Sequence, residues 1–326
     1  MYTIKNSPED FIVNEKPSFV LSDGDYAICK LVKTNVATNT AIEILCSYLS
    51  CKRRDLGFAG NKDKVAITTQ YVSIKFGSKQ KIENFSHELI TLEYLGQSKK
   101  PISLGDLEGN HFSIVIENCE YIEKKEWFVN YFGEQRFSEH NVAIGKLLLE
   151  KKFGDVCALL QDISLYKDAL DSVLQNSPND YINALSKVPQ KVLSLFVSAY
   201  QSYLWNSVVS QKISQDKNIA SESHIEISGM KLAVPKDYLS GELPLLGFET
   251  EDVCEEYEDL LTKEGLSQRH FIIPQLAFIS AGGSFRSICV RVPDLEIKQT
   301  ASKTYTISFT LPKGCYATTY IRHLCL

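Results

Sequence analysis

The sequence predicts an α+β fold in which β-rich segments at both ends of the chain enclose a largely helical middle. Three observations predict it. Short alternating or β-branched runs fill much of the first 155 residues and return after Pro293. A helical period occupies residues 140 to 213. The length, 326 residues with 44% hydrophobic and 23% charged, suits about two domains, each able to bury its own core. A chain ordered in this way can be one sheet domain carrying an insertion.

The elements follow in order. FIVNEK, YAICKLVK, QYVSIKF and HFSIVIEN read as strands, the last alternating as a strand with one buried face should. Between the second and third, NTAIEILCSYLSCKRRDLGFAG places Ile42, Leu45, Cys46 and Leu49 at helical spacing, with Asn39 or Thr40 as N-cap and Gly57 as the stop. The loop GNKDKVAITTQ leads into the next strand. The clearest helix opens at Pro189, a favoured first-turn residue, with Val192, Leu195, Phe196, Ala199 and Tyr203 as its apolar, core-facing stripe. Residues 225 to 285 are mixed, with turn signals at Pro235, Gly241, Pro244 and Gly247. TYTISFTL is a strand, LPKGCYATT a turn, and the end is a short helix.

Composition excludes several classes. No run of about 18 apolar residues exists to span a membrane. The start, MYTIKNSPEDFIVNEK, lacks a signal-peptide core, so a cytosolic location is expected. Nine cysteines (29, 46, 51, 119, 157, 254, 289, 315 and 325) form no C-x-x-C pair and lie at no metal-ligand spacing with the six histidines. Structural zinc and a disulfide framework are unsupported, and the cysteines are expected to be small buried hydrophobes. Net charge is −5. Residues 156 to 289 hold 10 Lys and Arg against 17 Asp and Glu, whereas the remainder holds 25 against 23. The excess peaks at Glu249, Glu251, Asp252, Glu255, Glu256, Glu258 and Asp259, a run expected to be a solvated helix face. So acidic a protein is no general nucleic-acid coat, although a local basic groove is allowed.

Three clusters could carry chemistry. In GFAGNKDKVAITTQ, residues 57 to 70, Asp63 sits between Lys62 and Lys64, with Lys52, Arg53 and Arg54 just upstream. Cationic neighbours favour an ionised carboxylate, a nucleophile or base suited to a polyanionic substrate. The competing reading is a solvated turn with surface ion pairs. NYFGEQRF, residues 130 to 137, offers rings to stack on a base and Asn130 or Gln135 to read a base edge. Equally it can be core aromatics beside a turn. The third is the C-terminal LPKGCYATTYIRHL. A GTPase is rejected, because the aspartate of NKDK is one place early for N-K-x-D and no phosphate loop exists. G-x-S-x-G and G-x-G-x-x-G are also missing.

These clusters, in this order, resemble the TruD family of tRNA pseudouridine synthases. The family text begins at Lys5, Pro8, Glu9, Asp10, Phe11, Val13 and Glu15, and continues at Phe58, Ala59, Gly60, Lys62, Asp63, Lys64, Ala66, Thr68 and Gln70. It resumes at Leu104 to Phe112, Asn130 to Phe137, and Leu311 to Arg322. The resemblance implies a mixed, mostly antiparallel sheet domain from residues 1–155 and 290–326, interrupted by an insertion domain at 156–289.

By the same resemblance the chain isomerises uridine to pseudouridine in tRNA, usually at position 13 of the D-arm. Asp63 is then the catalytic nucleophile, attacking either uracil C6 or ribose C1′. Lys5 pairs with it and holds it ionised. Phe11, Asn130 and Tyr316 contact the target nucleoside, and Phe132 stacks on a uracil flipped out of the RNA. No cofactor or metal is expected, because the leaving base is also the incoming nucleophile, and a monomer is the simplest expectation. Tyr316 stands where some family members have Phe, which keeps the ring and adds a hydroxyl. Ser138 stands for an expected Gly, and His323 for an acid whose loss can alter an ion pair of Arg322. Two other classes stay in view: an RNA-binding protein or tRNA chaperone, which would lose Asp63, and a glycosidase, which would need a second carboxylate such as Glu9, Asp10 or Glu15 in the site.

Overall fold

The computed structural model describes residues 2–215, 221–251 and 253–326, with only the backbone of 221 and 222. Met1 and Asp252, the latter expected in the acidic run, lie outside the described residues. The chain forms β1 (Phe11–Pro17), β2 (Tyr26–Thr34), α1 (Thr38–Leu49), β3 (Leu56–Phe58), β4 (Ile67–Lys75), α2 (Lys79–Glu83), β5 (Ile90–Ser98), β6 (Leu107–Ile116) and β7 (Trp127–Val129). Then come α3 (Asn141–Leu149), α4 (Phe153–Asp162), α5 (Lys167–Leu174), α6 (Tyr181–Ser186), α7 (Gln190–Gln215), β8 (Ser221–Ile227), β9 (Met230–Pro235), β10 (Glu242–Leu245), α8 (Glu255–Glu264), β11 (Ser284–Ser287) and β12 (Cys289–Arg291). β13 (Glu296–Ala301), β14 (Thr304–Pro312) and α9 (Ala317–Leu324) follow. Two compact units result: Met1–Trp127 with Arg291–Ala317 and Cys325, and Phe128–Val290 with Thr318–Leu324 and Leu326. The expected insertion, 156–289, lies inside the second unit, which starts earlier.

In the first unit an eight-stranded sheet runs β13-β14-β6-β1-β4-β2-β5, with β3 paired to β4. β1 and β4 are parallel and every other neighbouring pair is antiparallel, so the sheet is mixed and mostly antiparallel as predicted. One cluster joins Ala27, Cys29 and Leu31 of β2 to Val72 and Ile74 of β4 and to Ala41, Ile42 and Leu45 of α1. Burying Ile42 and Leu45 contributes about 1.5–3 kcal/mol each, which explains why a helix without a capping side chain stays docked.

The ends of α1 differ from the sequence expectation. Its N-cap is Ala37, without a side-chain hydrogen bond, and neither Asn39 nor Thr40 caps. The helix stops at Leu49, where Ser50 takes a left-handed conformation (φ 56°), and Gly57 belongs to β3 instead. β3 had no visible signal, because three residues are too short to show alternation.

In the second unit α7 is the central helix. Leu193, Phe196, Val197, Tyr200, Leu204, Trp205, Val208 and Val209 are buried, while Leu195 of the expected stripe is 38% exposed and Val192 and Tyr203 are half-buried. The stripe is rotated because neighbours, not α7 itself, choose the face. α3 crosses so closely that a Cβ on Gly145 would meet the Phe196 carbonyl oxygen at 2.1 Å. Pro244, read as a turn, lies within β10, paired antiparallel with β11.

Of the acidic run, Glu249, Glu251, Glu255, Glu258 and Asp259 are exposed, and Glu256 pairs with Lys212 at 2.7 Å. All nine cysteines are free; Cys29, Cys119, Cys157 and Cys289 are buried and the other five are half-buried.

Candidate active site

Asp63 lies in the loop between β3 and β4, and side chains beneath that loop hold its backbone. The Lys62 amide donates to Thr38 Oγ1 (2.9 Å), and the Lys62 ammonium meets Glu15 Oε2 at 2.5 Å, with both side chains nearly inaccessible. Glu15 accepts a further bond from the Tyr71 amide at 3.2 Å. Lys33 is wholly buried and donates to the carbonyl oxygens of Val36 (2.6 Å) and Asp63 (2.8 Å). Burial pulls its ammonium down to about 8. The Asp63 side chain itself stays partly open to solvent, 30% exposed.

That carboxylate faces Lys5, whose ammonium is 3.2 Å from Oδ2; the two side chains are 22% and 30% exposed. The same ammonium sits 3.9 Å from the centroid of the Phe11 ring, which is buried at the start of β1 and packs edge-on against Phe112. Lys5 has a left-handed backbone (φ 61°), rare for a residue with a side chain. The structure therefore brings together three sequence-predicted residues, Lys5, Phe11 and Asp63. Tyr316, in the turn after β14 of this unit, is half-buried. Of the carboxylates weighed as partners for Asp63, Glu15 is committed to Lys62 and Asp10 to the Ser7 amide (2.7 Å).

Asn130 and Phe132 come together in the second unit. Asn130 is 4% exposed and Phe132 5%. Arg286, in β11, donates from Nε to the Asn130 carbonyl (2.8 Å) and from Nη2 to Asn130 Oδ1 (2.7 Å). Its guanidinium lies 3.9 Å from the centroid of the Phe132 ring. Trp205 meets that ring edge-on at 5.8 Å, and Asn206 grips the Phe132 backbone through its amide (2.9 Å) and carbonyl (3.0 Å). Tyr131 and Phe137 are also buried. Gln135, the other candidate to read a base edge, falls in a short 3-10 turn. Arg322 is ion-paired with Glu134, and His323 is buried edge-on against Phe128.

Sequence reasoning missed Lys33, Glu15 as a buried partner, and Arg286. Lys33 was detectable, since alternation in YAICKLVK sets it on the face of Ala27, Cys29 and Leu31. Arg286 carried no such signal: it lies 156 positions from Asn130. Among the described residues, no group of three or more His, Cys, Asp or Glu could hold a metal ion.

A family model described as tRNA pseudouridine synthase D (TruD) matches residues 2–163 and 159–324. The chain belongs to the TruD family. TruD enzymes are isomerases that convert uridine to pseudouridine in tRNA, and this chain is one of them. A tRNA pseudouridine synthase D relative from Nanoarchaeum equitans is 30% identical, with 99% of this chain and 98% of that protein covered. The Aquifex aeolicus tRNA pseudouridine synthase D is 26% identical over 98% of this chain and 97% of its own. A crystal structure titled as a TruD enzyme of Methanosarcina mazei superposes with a TM-score of 0.69 at 25% identity, covering 99% of this chain and 93% of that one. Among the described residues no helix is long and apolar enough to cross a membrane.

Proposed function

We propose that the chain modifies the uridine at position 13 of the tRNA D-arm, with Asp63 as the nucleophile. The observation that carries this reading is the Asp63 carboxylate itself. It is partly open to solvent, on a backbone held from below and beside the Lys5 ammonium at 3.2 Å. A carboxylate so placed can attack uracil C6 or ribose C1′. On either route the C1′–N1 bond breaks, the base rotates, and a C1′–C5 bond forms. The C5 proton then leaves, N1 gains one, and Asp63 is released. Atoms balance without redox change or an added group, so no cofactor or metal is called for.

The family pattern supports the remaining roles, and the contacts of Lys5 with Asp63 and Phe11 support the first of them. Lys5 neutralises and orients the carboxylate, and Phe11 supports Lys5 from beneath as a ring under a cation. Asn130, Phe132 and Tyr316 hold the flipped nucleoside. Lys52, Arg54 and Lys64 are cationic groups on either side of the Asp63 motif that suit backbone phosphates. The first part of the chain, 1–155 with 290–326, is the catalytic domain, and 156–289 is the family's insertion.

The test is pseudouridine mapping by carbodiimide-dependent primer extension on transcribed tRNA, with wild-type protein and Asp63→Asn, free of metal and nucleotide. One stop at the D-arm uridine, lost in the variant while tRNA binding persists, is expected. A stop elsewhere removes the position assignment. Activity in Asp63→Asn removes the nucleophile, and wild-type binding without product points to a binding protein.

A further inference from the structure

The buried lysine behind the Asp63 loop stands apart from everything else in the sheet core. Lys33 lies on the inward face of β2, in line with Ala27, Cys29 and Leu31, and none of its surface reaches solvent. Burying an ammonium is costly, and replacing a buried charge by an apolar side chain of similar volume is often neutral or stabilising. Stability alone therefore gives no reason for a lysine here rather than methionine or leucine.

Its two acceptors supply one. The Val36 carbonyl lies in the approach to α1, and the Asp63 carbonyl belongs to the catalytic loop itself. Beside it, Thr38 holds the Lys62 amide and Glu15 holds the Lys62 side chain. Three buried side chains thus fix consecutive groups of the loop from one side, while the Asp63 carboxylate meets Lys5 on the other. We propose that Lys33 is a positioning residue for Asp63, fixing the peptide at 63–64 so that the carboxylate is aimed at its target. The inference rests on Asp63 being the nucleophile. Without this donor the Asp63 carbonyl is free to rotate, and a misplacement of about 1 Å can cost about 100-fold in rate.

The charge of Lys33 gives a readout that a purely structural lysine would not. The charged groups acting on it are Asp63, which favours the ammonium, and Lys62, which opposes it; Lys5 and Glu15 stand behind them as their ion-pair partners. From the packed elements, β4 sets Thr68 and β5 sets Ile90 opposite it, and α1 brings Thr38, none of which titrates here. Burial lowers the group from 10.5 to about 8. An unfolded lysine keeps its proton above that point, so between about 8 and 10.5 the unfolded state binds more protons and this group makes stability rise with pH. The hydrogen bonds to Val36 and Asp63 lose their charge assistance in the same window. Turnover is therefore expected to fall while stability rises.

The experiment uses tRNA transcribed with tritium at uracil C5, whose release reports formation of the C1′–C5 bond. Lys33→Met is expected to lower kcat about 100-fold with KM within about twofold and no lower melting temperature. Lys33→Arg, which keeps charge and donors, is expected to recover part of that loss. Wild-type kcat is expected to fall through about pH 8 while thermal stability increases. A folded Lys33→Met with wild-type kcat overturns the proposal. If that variant does not fold, the wild-type profile decides, and a flat kcat across pH 8 overturns it. Asp63→Asn is run alongside: if it too stays active the nucleophile reading has failed, whereas an inactive Asp63→Asn beside a fully active Lys33→Met defeats this inference alone.

Discussion

Asp63 and Phe132 both sit in family motifs, yet the first unit leaves its carboxylate 30% exposed while the second buries its ring to 5%. The difference lies in how each is held. Around Asp63 the backbone is fixed by Lys33, Thr38 and the Lys62–Glu15 pair, so the carboxylate side chain itself carries little of the packing. Around Phe132 the side chain is the packing: Arg286 covers one face and Trp205 meets the ring edge-on. Chemistry and stability are therefore separable at Asp63 and joined at Phe132. Changes at the second should unfold before they inform, whereas changes to the Asp63 carboxylate or its Lys5 partner should silence the enzyme while leaving it folded.

The largest stability effect is expected at Phe132→Ala. Removing a buried aromatic ring costs about 3–5 kcal/mol, and the cation–π contact with Arg286 adds about 1 kcal/mol. Denaturant melts will show it, and a loss below about 1 kcal/mol would break the comparison. Phe132→Leu sharpens it, because volume-conserving changes usually cost less than about 1.5 kcal/mol. If the ring stacks on uracil, this variant should still weaken the tRNA complex by about 1–3 kcal/mol. Next comes Lys62→Met, which leaves the buried Glu15 carboxylate without its counter-ion, with the Tyr71 amide as its remaining hydrogen bond. Breaking such a pair costs about 3–5 kcal/mol, and adding Glu15→Leu should restore most of it. A double variant as unstable as the single would show that the pair's partners, not its charge, anchor the loop.

Particular residues show how far the sequence could be read. FIVNEK, YAICKLVK, QYVSIKF and HFSIVIEN all lie in strands of the main sheet, because a half-buried strand writes its period into the chain. The Asp63 motif was legible for another reason, since loop, charge and flanking elements are contiguous. The start of α1 was not, because Thr38 directs its hydroxyl to the Lys62 amide, a long-range partner, and the cap falls to Ala37. Nor was the cover on Phe132, because β11 returns to β10 and carries Arg286 there from far along the chain. The motif singles out Asn130 and Phe132 but gives no sign that Arg286 and Trp205 already pack on them.

A smaller effect is expected at Arg286→Met. It loses two charge-assisted hydrogen bonds to Asn130 and the contact with Phe132, against a retained apolar stem, for a net of about 2–3 kcal/mol. The useful readout is Asn130, whose Oδ1 loses its Arg286 donor while Nδ2 still donates to the Ser287 carbonyl at 3.3 Å. Should turnover fall further than stability explains, Asn130 acts on substrate through the geometry Arg286 imposes.

The smallest stability effect, and the sharpest test of separability, is expected at Lys5→Met. Its ion pair with Asp63 is partly solvated, so the net contribution is at most about 1 kcal/mol. The methionine thioether can still lie on the Phe11 ring and recover part of the cation–π contact. The left-handed backbone at position 5 is equally unfavourable for both residues and cancels in the comparison. What does not cancel is the charge beside the Asp63 carboxylate. Without the ammonium Oδ2 loses its counter-ion at 3.2 Å, although the loop beneath remains held by Lys33, Thr38 and Lys62. Lys5→Met should therefore melt within about 1 kcal/mol of wild type yet lose turnover by at least about tenfold, with tRNA affinity nearly unchanged. Equal losses of stability and turnover would mean that the Asp63 cluster, like the Phe132 cluster, works as a packed unit, and the contrast between the two would be gone.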